Sequence, residues 1–214
     1  MAEMWTIGKV LTWATDWLKN QGSESARLDA QLLLGHICKL DKVHLYVQFD
    51  RPLAQHELDQ FRALVKRRAA GEPVAYILGE KEFYGRSFQV TTDVLIPRPE
   101  TEHLVDCVLD YLKQRDAGDE TARVVDVGTG SGAIAITIAA EIEHAVVVGI
   151  DLSAPALEVA RTNAEAHGLR ARVKLTRGDG LAPIKTEQSV DVVVSNPPYL
   201  DDALMATLPR SVRE

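Results

Sequence analysis

Apolar residues recur at helical spacing through the first part of the chain and then change period. Ile7, Val10, Leu11, Ala14, Trp17 and Leu18 fall on one helical face within residues 6–20, and Gly22 stands where a C-terminal cap belongs. A second helix is predicted from about Ser25 through Leu28, Leu32, Leu33 and Ile37, and a short one around Val43 to Val47. A fourth, about Ala54 to Ala70, carries Leu58, Phe61, Leu64 and Val65 and stops at Gly71-Glu72-Pro73. This pattern predicts a small helical bundle over residues 1–73, with no catalytic constellation of its own.

Residues 74–96 read differently. Glu82-Phe83-Tyr84 and Ser87-Phe88-Gln89-Val90 flank Gly85-Arg86, which predicts a hairpin with glycine at the first of two turn positions inside a linking stretch. The third region, residues 97–214, opens with a helix that turns Leu104, Val105, Val108, Leu109 and Leu112 inward. A polar loop over Gln114 to Ala122 follows, with Gly118 in it. Strands are then predicted at 123–127, 145–150, 172–176 and 190–194. They alternate with helices at about 131–142 and 154–167, the second with Ser153 as N-cap and Gly168 at its end. Such βαβαβ alternation predicts an α/β fold: a doubly wound, mostly parallel Rossmann-like sheet, here preceded by the helical bundle and the hairpin.

Composition narrows the setting. The chain has 214 residues, 46% hydrophobic and 26% charged, as in a globular protein with a proper core. No apolar run approaches the ~20 residues of a membrane span, and the N-terminus lacks a secretory pattern. Cys38 and Cys107 are expected to be reduced core thiols of a cytoplasmic protein, and neither they nor the six scattered histidines have metal-ligand spacing. The formal net charge of −7 is uneven: residues 1–96 hold 12 Lys+Arg and 12 Asp+Glu, the remainder 12 and 19. An acidic site half weighs against nucleic acid as substrate, because phosphate contacts demand a basic footprint.

Two strand ends carry the candidate chemistry. After the apolar run Val190-Asp191-Val192-Val193-Val194 comes Ser195-Asn196-Pro197-Pro198-Tyr199. Two prolines remove two backbone donors and stiffen the corner. The Asn196 side-chain oxygen and the Pro197 carbonyl can then accept both hydrogens of one planar –NH2 group, against which Tyr199 can stack. A Pro-Pro turn that merely ends a strand would read the same way, so the second strand end matters. There Asp126-Val127-Gly128-Thr129-Gly130-Ser131-Gly132-Ala133 joins a strand to a helix, a place where glycines admit a ligand to the helix N-terminus. Asp151 closes the next strand, near the ~20-residue offset of a carboxylate that binds ribose hydroxyls. A nucleoside-containing cofactor is implied.

Gly128, Gly130 and Ala133 also satisfy the dinucleotide fingerprint, which keeps an NAD-dependent dehydrogenase open. Alternating glycines, the preceding acid Asp126, and Asp179 after the third strand, placed to meet an adenine amine, favour S-adenosyl-L-methionine. An Asn-Pro-Pro-Tyr corner has an evident use in methylating a planar nitrogen and none in hydride transfer.

The chain resembles the HemK/PrmC-type release factor glutamine N5-methyltransferases. The likeness is carried by Arg67-Arg68, Gly71-Glu72-Pro73, Tyr76-Ile77-Leu78-Gly79, Phe83, Gly85, the run from Leu95 through Glu102 (Leu-Ile-Pro-Arg-Pro-Glu-Thr-Glu), Val125 to Gly132, Asp151, Asn163, Asp179 and Ser195 to Tyr199. The resemblance implies methylation of the glutamine side-chain nitrogen in the Gly-Gly-Gln loop of peptide chain release factors, in the cytoplasm, without metal or membrane. It implies catalytic roles for Asn196, Pro197 and Tyr199, with Pro198 completing the substrate corner. Gly128, Thr129, Gly130, Ser131, Gly132, Asp151, Asp179, Gly180 and Asn196 are the implied cofactor residues. Gly180 stands where relatives often carry an aromatic residue, implying looser packing on the adenine. In the family, the N-terminal helical domain helps to grip the release factor.

Relatives of this kind complete a seven-stranded sheet, whereas the sequence stops four strands in. Without its fifth neighbour an apolar strand would be a bare edge, so the sequence is expected to be a truncated form lacking its C-terminal part. A ribosomal-protein glutamine methyltransferase and a DNA adenine-N6 methyltransferase, which shares Asn-Pro-Pro-Tyr, remain alternatives. So does a methyltransferase-fold binding module, although it would have no need of both strand-end constellations.

Overall fold

A computed structural model describes residues 4–115, 121–185 and 190–197. Residues 116–120 of the expected polar loop, and Pro198 and Tyr199 of the expected substrate corner, lie outside the described residues. The chain divides into two compact units, one running to Leu78 and the other beginning at Gly79.

The first unit is helical: α1 (Ile7–Asn20), α2 (Ala26–Cys38), α3 (Lys42–Val47), α4 (Gln55–Ala69) and α5 (Val74–Leu78). Its core takes Ile7, Val10, Leu11, Ala14 and Leu18 from α1, and Phe61 and Val65 from α4. In α2 the buried stripe runs through Ala26, Ala30, Leu33 and Leu34, while Leu28 and Leu32 face outward. Glycine at 22 adopts φ +87° just past the end of α1, a left-handed position that a side chain would strain. The short apolar run Val74–Leu78, read as linker, forms α5, and Ile77 joins this core.

The second unit opens with the hairpin β1 (Glu80–Phe83) and β2 (Arg86–Gln89). Phe83 pairs with Arg86, so the turn is Tyr84-Gly85 rather than Gly85-Arg86. Both turn residues have positive φ, 51° and 69°, as a primed two-residue turn requires. Tertiary contacts account for the shift: the Tyr84 N–H donates to the Glu102 carboxylate (2.9 Å) and its hydroxyl to Asp106 (2.8 Å). That second bond raises the Tyr84 phenol to about 12. Phe83 and Phe88 meet edge to face at 6.1 Å inside the core of this unit.

Helix α6 (Thr101–Gln114) follows, then β3 (Ala122–Val127), α7 (Ala133–Glu141), β4 (Ala145–Asp151), α8 (Ala154–Ala166), β5 (Val173–Arg177) and β6 (Val192–Ser195). The four strands pair in parallel in the order β5-β4-β3-β6, in agreement with the expected parallel α/β architecture. Building runs outward from β3 through β4 to β5 and then returns to the other side of β3 for β6. The switch point therefore lies between β3 and β6, at whose carboxyl ends open α/β sheets bind ligands. Helices α6 and α7 pack together, as do α7 and α8, and each touches the sheet. The expectation of core thiols fails at Cys107, which lies two positions past buried Val105 on the outer side of α6 and is exposed; Cys38 is half-buried, and both are free thiols.

Candidate active site

The glycine loop leaves β3 and closes by hydrogen bonding to its neighbour. The N–H groups of Gly128 and Thr129 both donate to the Ile150 carbonyl, at 2.8 and 2.9 Å, and the Gly132 N–H turns back to Thr129 (2.8 Å). Gly128, Gly130 and Gly132 all have positive φ. Their surroundings differ in a telling way. A Cβ on Gly132 would come within 2.9 Å of Ile136 and 3.2 Å of Ala160, so that glycine permits close helix packing. A Cβ on Gly128 would meet nothing within 4 Å, and one on Gly130 only a carbonyl at 4.0 Å. Those two glycines border open space, the cradle that a cofactor would fill.

Asp151 ends β4 and accepts the Gly130 N–H through one carboxylate oxygen and the Ser153 N–H through the other, both at 2.9 Å. It braces the loop, and each oxygen retains a lone pair for a ribose hydroxyl. Beneath the loop, Asp126 is wholly buried and accepts the Thr129 hydroxyl at 2.7 Å. Among the described residues its other oxygen meets no hydrogen-bond geometry. Burial pushes the Asp126 carboxyl up to about 6, against the opposing pull of the Thr129 hydroxyl and the Ala135 N–H.

Asn163 ties the site together. Only 2% exposed, it accepts the Gln89 N–H (2.7 Å) and donates to the carbonyls of Gln89 (3.0 Å) and Ser131 (2.8 Å). One side chain thus joins β2 to the glycine loop. His167, the residue that ends α8, hydrogen-bonds the Ser87 carbonyl at 2.9 Å, so the end of α8 satisfies the outer edge of β2.

Asn196 emerges from β6. Ser195 pairs with Val127 in the ladder, and its hydroxyl donates to the Val127 carbonyl at 2.8 Å. Asn196 and Gly128 therefore leave adjacent strands side by side. The Asn196 amide nitrogen donates to the Thr101 hydroxyl at 3.0 Å, and Pro197 is exposed. Asp179 and Gly180 follow β5, at the opposite end of the strand row, about 14 Å away at three strand spacings. The Asp179 carboxylate is exposed, and Gly180 has φ +51°. The structure thus brings Gly128 to Gly132, Asp151 and Asn196 onto neighbouring strand ends and sets Asp179 and Gly180 at the far end.

Sequence reasoning had given Asn163 and Thr101 no role. A signal existed for the first, since a polar residue interrupts the otherwise apolar α8 stripe of Ala156, Ala160 and Ala164. Among the described residues no group of three or more His, Cys, Asp or Glu could hold a metal, and no helix is long and apolar enough to cross a membrane.

A parallel sheet with a glycine cradle and an Asn-Pro corner at its switch point defines a methyltransferase class of site. Comparison with known proteins carries this further. The PrmC N-terminal domain family matches residues 9–79, and the methyltransferase small domain family matches residues 104–208. Release factor glutamine methyltransferases are similar over nearly the whole chain: that of Rhodopirellula baltica is 42% identical (98% of this chain, 71% of that protein) and that of Geobacter sulfurreducens 46% (99% and 72%). The Bacillus subtilis protein is 43% identical, covering 98% and 72%. The chain belongs to the release factor glutamine methyltransferase family.

Proposed function

We propose that this protein transfers a methyl group from S-adenosyl-L-methionine to the side-chain amide nitrogen of the glutamine in the Gly-Gly-Gln loop of peptide chain release factors. The observation that carries the proposal is the combination of 42–46% identity across almost the full chain with Asn196 set beside an open glycine cradle. The cofactor supplies an electrophilic methyl on a sulfonium. Gly128 to Gly132 and Asp151 would hold it, with Asp179 and Gly180 toward its nucleoside end.

An amide nitrogen is a weak nucleophile because its lone pair is delocalised into the carbonyl. Asn196 and the Pro197 carbonyl would accept the two N–H groups, orient the lone pair and stabilise the positive charge that grows on nitrogen; as the C–N bond forms the donor's C–S bond breaks, S-adenosyl-L-homocysteine is the leaving group, and one N–H proton is lost to water. Pro198 stiffens the corner, and Tyr199 stacks on the amide plane. Alignment of this kind supplies up to ~7–11 kcal/mol of barrier reduction without a strong base. Residues of the first unit grip the release factor, and the work is done in the cytoplasm, where release factors act.

The test is Asn196→Ala. Turnover of a release factor should fall by about 100-fold or more while calorimetric affinity for S-adenosyl-L-methionine persists. Loss of both would show that Asn196 only holds the fold. Wild-type protein that binds NAD and not S-adenosyl-L-methionine would overturn the cofactor reading.

A further inference from the structure

The run Ile96-Pro97-Arg98-Pro99-Glu100-Thr101-Glu102 lies outside the glycine loop and is firmly held. Ile96 is buried, and the two prolines fix φ on either side of Arg98. The Thr101 and Glu102 N–H groups fold back onto the carbonyls of Arg98 and Pro99, both at 3.0 Å. The Glu102 carboxylate is engaged by the Tyr84 N–H, while Val105, Val108, Leu109 and Leu112 anchor the rest of α6 in the core. The first turn of α6 is therefore fixed in place, and from it Thr101 reaches Asn196 across 95 positions of sequence.

We propose that Thr101 is a positioning residue for methyl transfer, restraining the Asn196 amide from the first turn of α6; the inference rests on the functional reading above. A primary amide has an acceptor end and a donor end. Its terminal torsion is broad and roughly two-fold, so its own geometry does not choose between the two. The transfer needs the oxygen toward the glutamine –NH2, because a reversed amide would set donor against donor. The Thr101 hydroxyl accepts from the nitrogen end at 3.0 Å and so restrains that torsion from α6. The Ser195 hydroxyl, bonded to Val127, holds the strand end from which Asn196 springs.

The test uses the full-length protein with a release factor and labelled S-adenosyl-L-methionine. Thr101→Val keeps the shape and removes the acceptor; Thr101→Ser keeps the hydroxyl. Thr101→Val should lower kcat by about 10- to 100-fold, the scale of a small misplacement of a reacting group. Calorimetric affinity for S-adenosyl-L-methionine should stay within about two-fold, since the change is felt only in the transition state. Thr101→Ser should recover most of kcat. Wild-type kcat in Thr101→Val would overturn the inference, as would an equal loss of kcat in both variants or a parallel loss of cofactor affinity in Thr101→Val. Absence of label with the wild-type protein would instead overturn the functional reading, and so the two failures are distinguishable.

Discussion

Each unit buries an aspartate, and the two are treated in opposite ways. Asp29, in α2 of the helical unit, accepts the Ser23 hydroxyl (2.7 Å), the Ser25 hydroxyl (2.9 Å) and the Arg68 guanidinium (2.7 Å), so both oxygens are engaged and the charge is neutralised. Asp126, under the glycine loop, has one hydroxyl at 2.7 Å and, among the described residues, an oxygen that meets no hydrogen-bond geometry. The first arrangement staples α2 to α4 and asks nothing more of the side chain. The second keeps a costly carboxylate where a cofactor is to be held.

The contrast can be broken most forcefully at Arg68. Arg68→Met leaves the Asp29 charge buried with hydroxyl partners alone, and should cost about 3–5 kcal/mol by urea denaturation of the first unit. Affinity for S-adenosyl-L-methionine should not change. A loss below about 1 kcal/mol would mean that the pair is no staple.

Asp126→Asn should act in the reverse direction. The folded state holds the Asp126 proton up to about pH 6, whereas the unfolded chain releases it near 3.8. Its contribution to stability is therefore fully present at low pH and is lost as pH rises through that window, amounting to a penalty of about 3 kcal/mol at pH 7. Asparagine still accepts the Thr129 hydroxyl and carries no charge, so the variant should exceed wild type in stability by as much as that at pH 7, with the gap closing at pH 4. Parallel melting curves at pH 4, 5, 6 and 7 measure it, and a gap independent of pH would contradict the account. The smallest change is expected from Ser25→Ala, about 1 kcal/mol at pH 7, because Asp29 keeps two partners.

Much of this was readable from apolar spacing. Helices α1, α4 and α6 bury most of the residues their periodicity places inward, with Trp17, Leu58, Leu64 and Leu104 only partly buried, and Ser153 caps α8 by accepting the Ala156 N–H at 3.2 Å. The parallel sheet followed from alternation of elements, and the glycine cradle from residue type. The hairpin turn was not readable, for a definite reason. Moving the turn by one residue keeps Phe83 and Phe88 on the same face, so the hydrophobic pattern accepts either register. The bonds of Tyr84 to Glu102 and Asp106, both on α6, make the choice. Cys107 was misplaced because an apolar thiol is welcome in a core without being required there. Thr101 and Asn163 escaped because their partners lie 95 and 74 positions away, beyond any local pattern.

The central claim is that the carboxyl ends of β3 and β6 join a methyl donor to a glutamine amide. The most direct measurement offers the protein labelled S-adenosyl-L-methionine with release factor, ribosomes and duplex DNA in parallel, and locates the label by peptide mass spectrometry. The account predicts one methyl on the side-chain nitrogen of the Gly-Gly-Gln glutamine. Label confined to a ribosomal protein or to DNA, or no label on any of the three, would contradict it.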